Sequence, residues 1–193
     1  MRLTRSSSNE DILAVLNRTA NAISGVLVNN TDWGLSGLRH TQYSVDVDCD
    51  NAALAILHGA GCAVLSEESR ITGEWGDNDI LVVMDPLDGS TNASRGVPWY
   101  ATALCALDNT GMRASLVVNQ ASGKDRYWAT RGGGAFHNGN PIHPPHAPTS
   151  RMQWLGFLVC QISNQVGRSF ERLVPRLSTF VWLPTAHWMV GST

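Results

Sequence analysis

The feature that most constrains the fold is the segment Asp79-Ile-Leu-Val-Val-Met-Asp-Pro-Leu-Asp-Gly-Ser-Thr-Asn92, in which an apolar run ends at two acids. The run is apolar enough to lie inside a sheet, so we predict a buried strand at Asp79–Met84. The proline after the first acid fixes φ, and the glycine after the second allows a tight turn. The carboxylates of Asp85 and Asp88 can therefore face one point at the edge of a sheet.

Two features beside this turn indicate a chemistry. Ser90 and Thr91 offer hydroxyls and backbone N–H groups, which form an anion cradle where a turn enters a helix. Glu67 and Glu68 follow the preceding predicted strand, Cys62–Ser66, and neighbouring strands would bring all these acids together. Like charges at close range repel unless cations lie between them. Hard oxygen ligands beside a phosphate seat favour magnesium.

The remaining pattern predicts an α+β fold in layers. Residues 9–29 show helical spacing behind the capping-box-like Ser8-Asn-Glu-Asp11, and a second helix is predicted to begin at Asp50, capped by that aspartate. Turn residues separate three further predicted strands, which are Tyr100–Leu107, Arg113–Asn119 and Arg126–Thr130.

The proline-rich segment His143–Pro148 is predicted to be a linker. We therefore predict a metal- and phosphate-binding subdomain at residues 1–143 and the start of a second subdomain at residues 144–193. In that second part, Gln161–Leu173 is predicted as a helix and Ser178–Leu183 as a strand.

Composition narrows the kind of partner. The net charge is −2 and no run of five residues carries one sign, so neither nucleic acid nor a membrane surface is an expected partner. No apolar stretch approaches the roughly 18 residues of a membrane span, and the first residues lack the apolar core of a secretory signal. We expect a cytoplasmic protein with a small-molecule partner. The four scattered cysteines are expected to be buried reduced thiols.

The segment Asp85-Pro-Leu-Asp-Gly-Ser-Thr-Asn92, with Glu67-Glu68 upstream, resembles the inositol monophosphatase family of magnesium-dependent, lithium-sensitive sugar-phosphate phosphatases. Gly132-Gly-Gly-Ala-Phe-His-Asn-Gly-Asn-Pro-Ile142 is similar to the family's Gly-x-Gly-Ala-x-x-Asn-Gly segment. The resemblance implies the layered α/β sandwich of that family. It also implies hydrolysis of an inositol phosphate, or of a similar small sugar or polyol phosphate, by a metal-activated water.

The resemblance further implies a set of metal ligands. Glu67, Asp85 and the carbonyl of Leu87 would bind one Mg²⁺, and Asp85 and Asp88 would share a second. Glu67 is thereby implied as a catalytic residue as well as a ligand.

The resemblance places the phosphate at the residues that follow the second acid. Asp88, Gly89, Ser90 and Thr91 would hold the substrate, and the Ser90 hydroxyl would help to orient the attacking water. No phosphoenzyme is implied. Hydrolysis through a serine nucleophile is a weaker alternative, since no GxSxG elbow is present.

In this family, an aspartate near the start of the second helix also positions the water. Asp46, Asp48 and Asp50 compete for this role, and Asp50 fits best as the residue predicted to open the helix. A simple helix cap is an equally good interpretation of Asp50, because aspartate is among the preferred capping residues.

The family's later half supplies a third metal aspartate in a Trp-Asp segment, and no Trp-Asp pair follows Trp154 here. We therefore expect an incomplete C-terminal part. The alternative hypothesis is a truncated, catalytically impaired family member that acts only through association with a partner. Family members commonly dimerise, so a homodimer is also considered.

Overall fold

The computed structural model describes residues 1–40 and 42–143. Three helices are present in this part, which are α1 (Asn9–Asn29), α2 (Ser44–Gly59) and α3 (Ser90–Ser94). The strands are β1 (Ala63–Ser66), β2 (Arg70–Thr72), β3 (Leu81–Asp88), β4 (Ala101–Asp108), β5 (Gly111–Asn119), β6 (Arg126–Thr130), β7 (Gly134–His137) and β8 (Asn140–Ile142).

The described strands form one mixed sheet in the order β2-β1-β3-β4-β5-β6-β7-β8. Strands β1 and β3 pair in parallel, and every other neighbouring pair is antiparallel. Helices α1 and α2 pack against each other, α1 also packs on β4 and β5, and α2 also packs on β1 and β3. The predicted α+β layered class is confirmed.

Side chains alternate along the central strands and build two apolar clusters. On β3, Val82 and Met84 pack in the cluster that also holds the buried residues of α1 and α2. Leu81 and Val83 belong to a second cluster together with Leu65 of β1. Because successive side chains of a strand point to opposite faces, both faces of the sheet are apolar at its centre. This explains why the segment before Asp85 is continuously hydrophobic.

Helix α1 has the predicted bounds. The Ser8 side chain accepts a hydrogen bond from the N–H of Asp11 at 3.0 Å, which satisfies one of the free donors of the first turn. Ile12, Leu16 and Ile23 on its inner face are fully buried, as the helical spacing predicted.

Helix α2 begins at Ser44, so the predicted start at Asp50 is wrong. The N–H of Tyr43 donates to Oδ2 of Asp46 at 2.8 Å, and this contact closes the first turn. Asp50 therefore lies inside the helix, where its buried carboxylate accepts a hydrogen bond from the Ser66 hydroxyl. The residue before α2 is Tyr43, which is not among the preferred capping residues, so no capping signal marks this start in the sequence.

Strands β2, β7 and β8 were not predicted. They have three or four residues each and lack a fully buried face, so no apolar alternation marks them. The chain turns at Gly132, which has a positive φ, and then forms the β7–β8 hairpin.

Some predictions fall outside the described residues. These are the linker beyond His143, the helix Gln161–Leu173 and the strand Ser178–Leu183, so the subdomain boundary stays a prediction. Cys49, Cys62 and Cys105 are free and buried, as expected, and Cys160 lies outside the described part. Within residues 1–40 and 42–143, no helix combines the length and apolar character needed to cross a membrane.

Candidate active site

The glutamate pair and the acidic turn meet where β1 and β3 end. Ser66 of β1 lies opposite Met84 of β3, and the N–H of Glu67 donates to the Met84 carbonyl at 3.1 Å. Because the two strands are parallel, the next residues along each chain, Glu67 and Asp85, are also neighbours. Their carboxyl groups lie close enough that Glu67 raises the pKa of Asp85. The predicted convergence of these two acids is therefore found.

The environment of Asp85 disfavours its charge. This residue is only 5% exposed. Burial, followed by the negative charge of Glu67 and the contact between their two carboxyl groups, raises the pKa of Asp85 to about 9. The charges of Asp88 and Glu68 act in the same direction. A proton between Glu67 and Asp85 relieves the repulsion, and a divalent cation in the same place would relieve it more fully.

The donors at this edge are hard oxygen atoms, which fit Mg²⁺. In the described ranges, no group of three or more His, Cys, Asp and Glu side chains is spaced to hold a metal ion. The carboxylates that could bind one Mg²⁺ here are therefore pairs. Asp88 is exposed and Asp85 is buried, so these two acids differ in their access to solvent. Mg²⁺ usually keeps several waters, so two carboxylates and a backbone oxygen can suffice.

The raised pKa of Asp85 predicts how the stability of the metal-free chain depends on pH. The unfolded chain loses this proton near the ordinary value of 3.8, whereas the folded chain keeps it to about 9. The contribution of Asp85 to the free energy of unfolding should therefore be highest below pH 4 and fall as pH rises through this window, by at most about 1.4 kcal/mol per pH unit. Urea unfolding at pH 5 and pH 8 in a chelating buffer measures it. Equal pH dependence in Asp85→Asn would contradict the assignment.

A β-bulge shapes the turn between the two aspartates. Asp85 pairs with Ala103 and Asp88 pairs with Ala101, so β3 has one more residue than β4 in this interval. Such an extra residue is left out of the ladder. Pro86, which has no N–H to donate, lies in the bulge, and its carbonyl accepts a hydrogen bond from the Thr102 hydroxyl at 2.7 Å. The predicted ligand Leu87 lies in the same irregular stretch, with its side chain buried.

Gly89 connects the bulge to α3 in a left-handed conformation, with φ of 88° and ψ of 31°. Its carbonyl accepts hydrogen bonds from the N–H groups of Asn92 at 2.9 Å and Ala93 at 3.0 Å. The N–H groups of Ser90 and Thr91 lie in the first turn of α3, where no preceding carbonyl of the helix is placed to accept from them. These two groups are therefore suitably placed to donate to an oxyanion.

Gly89→Ala is expected to destabilise the chain more than Gly96→Ala. Both glycines have positive φ, which costs about 1–2 kcal/mol for another residue. An added Cβ at Gly89 would also lie 2.9 Å from the Trp99 carbonyl oxygen, whereas one at Gly96 meets nothing within 4 Å. We expect a further loss of about 1 kcal/mol in Gly89→Ala, measured by urea unfolding. Equal losses would show that the Trp99 contact is unimportant.

The three candidate aspartates of α2 occupy different surroundings. Asp46 is buried beside Ser90, whose hydroxyl is near enough to lower its pKa, although burial dominates and the pKa of Asp46 is raised overall. Its Oδ1 is buried and has no hydrogen-bond partner among the described residues. Asp48 is exposed. Asp50 accepts a hydrogen bond from Ser66, and of the three it is Asp46 whose pKa Ser90 affects.

The loop before α2 covers the glutamate pair. The Arg39 guanidinium donates to the Glu67 carbonyl at 3.3 Å and also to the Glu68 carbonyl. The Gln42 amide donates to the Glu68 carboxylate. Burial raises the pKa of Glu68 in spite of these partners. Glu68 therefore interacts with this loop, whereas Glu67 lies beside Asp85. Nothing in the sequence indicated that the two glutamates have different partners.

A sequence profile of the inositol monophosphatase family matches residues 49–181. This chain belongs to the inositol monophosphatase family. Among curated proteins, it is 38% identical over 102 residues to a fructose-1,6-bisphosphatase/inositol-1-monophosphatase from Archaeoglobus fulgidus, a match that covers 51% of this chain and 38% of that protein. It is 31% identical over 135 residues to a histidinol-phosphatase from Mycobacterium tuberculosis, covering 67% of this chain and 48% of that protein.

Solved structures of the family share the fold. A dual-specificity IMPase/NADP phosphatase bound with D-inositol-1-phosphate superposes with a TM-score of 0.60 at 24% identity, over 74% of this chain and 55% of that chain. An IMPase from Thermotoga maritima superposes with a TM-score of 0.57 at 22% identity, over 69% of this chain and 53% of that chain. The chain spans less than half the length of either curated relative named above.

Proposed function

We propose that this chain hydrolyses a small phosphomonoester with two Mg²⁺ ions, one held by Glu67, Asp85 and the Leu87 carbonyl and the other shared by Asp85 and Asp88. The observation that carries the proposal is that the parallel pairing of β1 and β3 places Glu67 beside Asp85, close to the Gly89 turn. Two close carboxylates, one of them buried, are unfavourable without a cation, and a phosphate would be attracted to the same place by the N–H groups of the first turn of α3. Ligands for a cation and donors for an oxyanion are thus adjacent.

The substrate phosphate would be bound by the residues that follow the bulge. The N–H groups of Gly89, Ser90 and Thr91 would donate to its oxygens. Asp88 would lie at the solvent-exposed side of this phosphate-binding site. When bound, Mg²⁺ would lower the pKa of a water and stabilise charge on the phosphoryl group. Fixed donors for the phosphate reduce the reorganisation needed in the transition state.

Ser90 and Asp46 would orient the attacking water. The free Oδ1 of Asp46 can accept a hydrogen bond from the Ser90 hydroxyl, which lies beside it. If the Ser90 hydroxyl donates its hydrogen to Asp46, its oxygen can accept a hydrogen bond from the water. That hydrogen bond would direct a lone pair of the water at phosphorus. Contacts of this kind are often loose without substrate and shorten when it binds.

The class of substrate is proposed from the family and the named relatives. Those names include inositol-1-monophosphatase, fructose-1,6-bisphosphatase and histidinol-phosphatase, all of which act on small phosphate monoesters. We propose an inositol phosphate or a similar sugar or polyol phosphate, in the cytoplasm, with neither nucleic acid nor membrane as a partner. A homodimer is compatible with this proposal.

The second candidate is a catalytically impaired chain that acts only through association with a partner. Trp99 is 73% exposed and Val97 is 44% exposed, and both follow α3 at the proposed site. Apolar side chains exposed beside a site favour association.

The test is phosphate release by the purified 193-residue chain with Mg²⁺ across a panel of phosphomonoesters. A second protein, extended with the C-terminal half of a family member, is assayed in parallel. Release by the 193-residue chain supports the enzyme, and release by the extended protein alone supports the impaired chain. Absence of both release and Mg²⁺ binding in the two proteins would overturn the proposal.

A further inference from the structure

A chain of hydrogen bonds leads from α1 to the bulge that carries the proposed metal ligands. The Ser24 hydroxyl donates to Oε1 of Gln120 at 2.6 Å, and Nε2 of Gln120 donates to the Thr102 hydroxyl at 2.9 Å. Thr102 in turn donates to the Pro86 carbonyl at 2.7 Å. The same Nε2 also donates to the Ala20 carbonyl at 3.2 Å. Side chains from α1, from the turn after β5 and from β4 therefore form a series that ends at one carbonyl.

The direction of each bond follows from the chemistry of its two partners. The Pro86 carbonyl can only accept, so the Thr102 hydroxyl must donate to it. Thr102 is fully buried, so its oxygen needs a donor of its own, which the Gln120 amide supplies. This fixes the amide with Oε1 toward Ser24. Each polar group in the series has a partner, which favours a single arrangement.

The bulge makes this support important. An irregular pairing between β3 and β4 sets the orientation of the Pro86–Leu87 peptide less firmly than a regular ladder would. That peptide lies between Asp85 and Asp88. A rotation of it would move the Leu87 carbonyl and change the spacing of the two aspartates.

We propose that Thr102, held by Gln120 and Ser24, is a positioning residue that fixes the Pro86–Leu87 peptide and thereby the proposed Mg²⁺ ligands. The metal part of this inference rests on the proposed function. Groups that orient metal ligands through hydrogen bonds typically affect metal affinity by about 10–100-fold.

The test compares Thr102→Val, which removes the hydroxyl at nearly constant shape, with Thr102→Ser, which keeps it. We measure Mg²⁺ affinity by calorimetry and hydrogen exchange of residues 85–92 in the metal-free chain. Thr102→Val should weaken Mg²⁺ binding about tenfold and raise exchange over residues 85–92 several-fold. Thr102→Ser should stay within about twofold of the parent in both.

The two readouts separate this inference from the proposed function. If the parent chain itself binds no Mg²⁺, the proposed function fails, and the exchange of residues 85–92 decides the positioning role. If Thr102→Val matches the parent in exchange over these residues, or raises exchange equally in β5 and β6, the positioning role is overturned. Gln120→Met, which removes the amide, should act in the same direction as Thr102→Val.

Discussion

Asp85→Asn is expected to reduce any phosphate release by this chain more than about 100-fold, because changes at groups one step removed from a metal ligand already cost 10–100-fold. Asparagine keeps one oxygen but loses the negative charge that two proposed Mg²⁺ ions would share. Mg²⁺ binding, followed by calorimetry, should be lost together with the activity. The comparison is made at saturating substrate and several Mg²⁺ concentrations.

The same substitution is expected to stabilise the metal-free chain at pH 8. Asparagine carries no charge in the buried position and can donate a hydrogen bond to the Glu67 carboxylate. Aspartate must instead either keep a proton, which costs free energy at pH 8, or repel the Glu67 carboxylate. For a chain of this length, each 1 kcal/mol gained raises the melting temperature by about 2–4 °C. Activity and stability should thus change in opposite directions, as is common at functional sites.

Asp48→Asn is the matched control, since Asp48 is an exposed acid on α2. It should leave phosphate release, Mg²⁺ affinity and the melting temperature close to those of the parent. Retention of Mg²⁺ binding by Asp85→Asn would contradict the site. If Asp85→Asn melts at a lower temperature than the parent in chelating buffer, the raised pKa of Asp85 is contradicted.

Ser90→Ala is expected to lower kcat about 100-fold while Mg²⁺ affinity stays close to that of the parent, because the proposed role of the hydroxyl is to orient water. Ser90→Thr should restore most of the rate, since threonine keeps the hydroxyl. Ser94→Ala removes a hydroxyl from the same short helix, where it donates to the Thr91 carbonyl at 2.9 Å, and serves as the control.

Asp46 should act through Ser90. Asp46→Asn and Ser90→Ala are expected to lower kcat by less together than the product of their separate effects, since both interrupt one hydrogen-bonded unit. Full additivity in this double-mutant cycle would show that Asp46 and Ser90 work independently. Loss of Mg²⁺ binding in Ser90→Ala would assign the serine to the metal site instead.

Much of the fold could be predicted because strong local patterns agree with it. The spacing of Ile12, Leu16 and Ile23 predicts α1 with its observed bounds, and β6 also has its predicted bounds. The short strands β2, β7 and β8 could not be predicted, because partners across the sheet stabilise them rather than their own apolar residues. The start of α2 was not predicted because its capping residue is Tyr43, whose N–H donates to Asp46, and tyrosine is not among the preferred capping residues.

The sequence by itself determined the chemistry at the edge of the sheet: two acids around a proline, a glycine that must turn, and hydroxyls that follow. These are local properties of covalent structure and charge. Only the tertiary structure decided which distant groups act on them. The parallel pairing of β1 and β3 selects Glu67 to contact Asp85, the packing of α2 selects Asp46 to lie beside Ser90, and β4 brings Thr102 to Pro86. Such choices depend on contacts between residues far apart in the chain, which no local pattern contains.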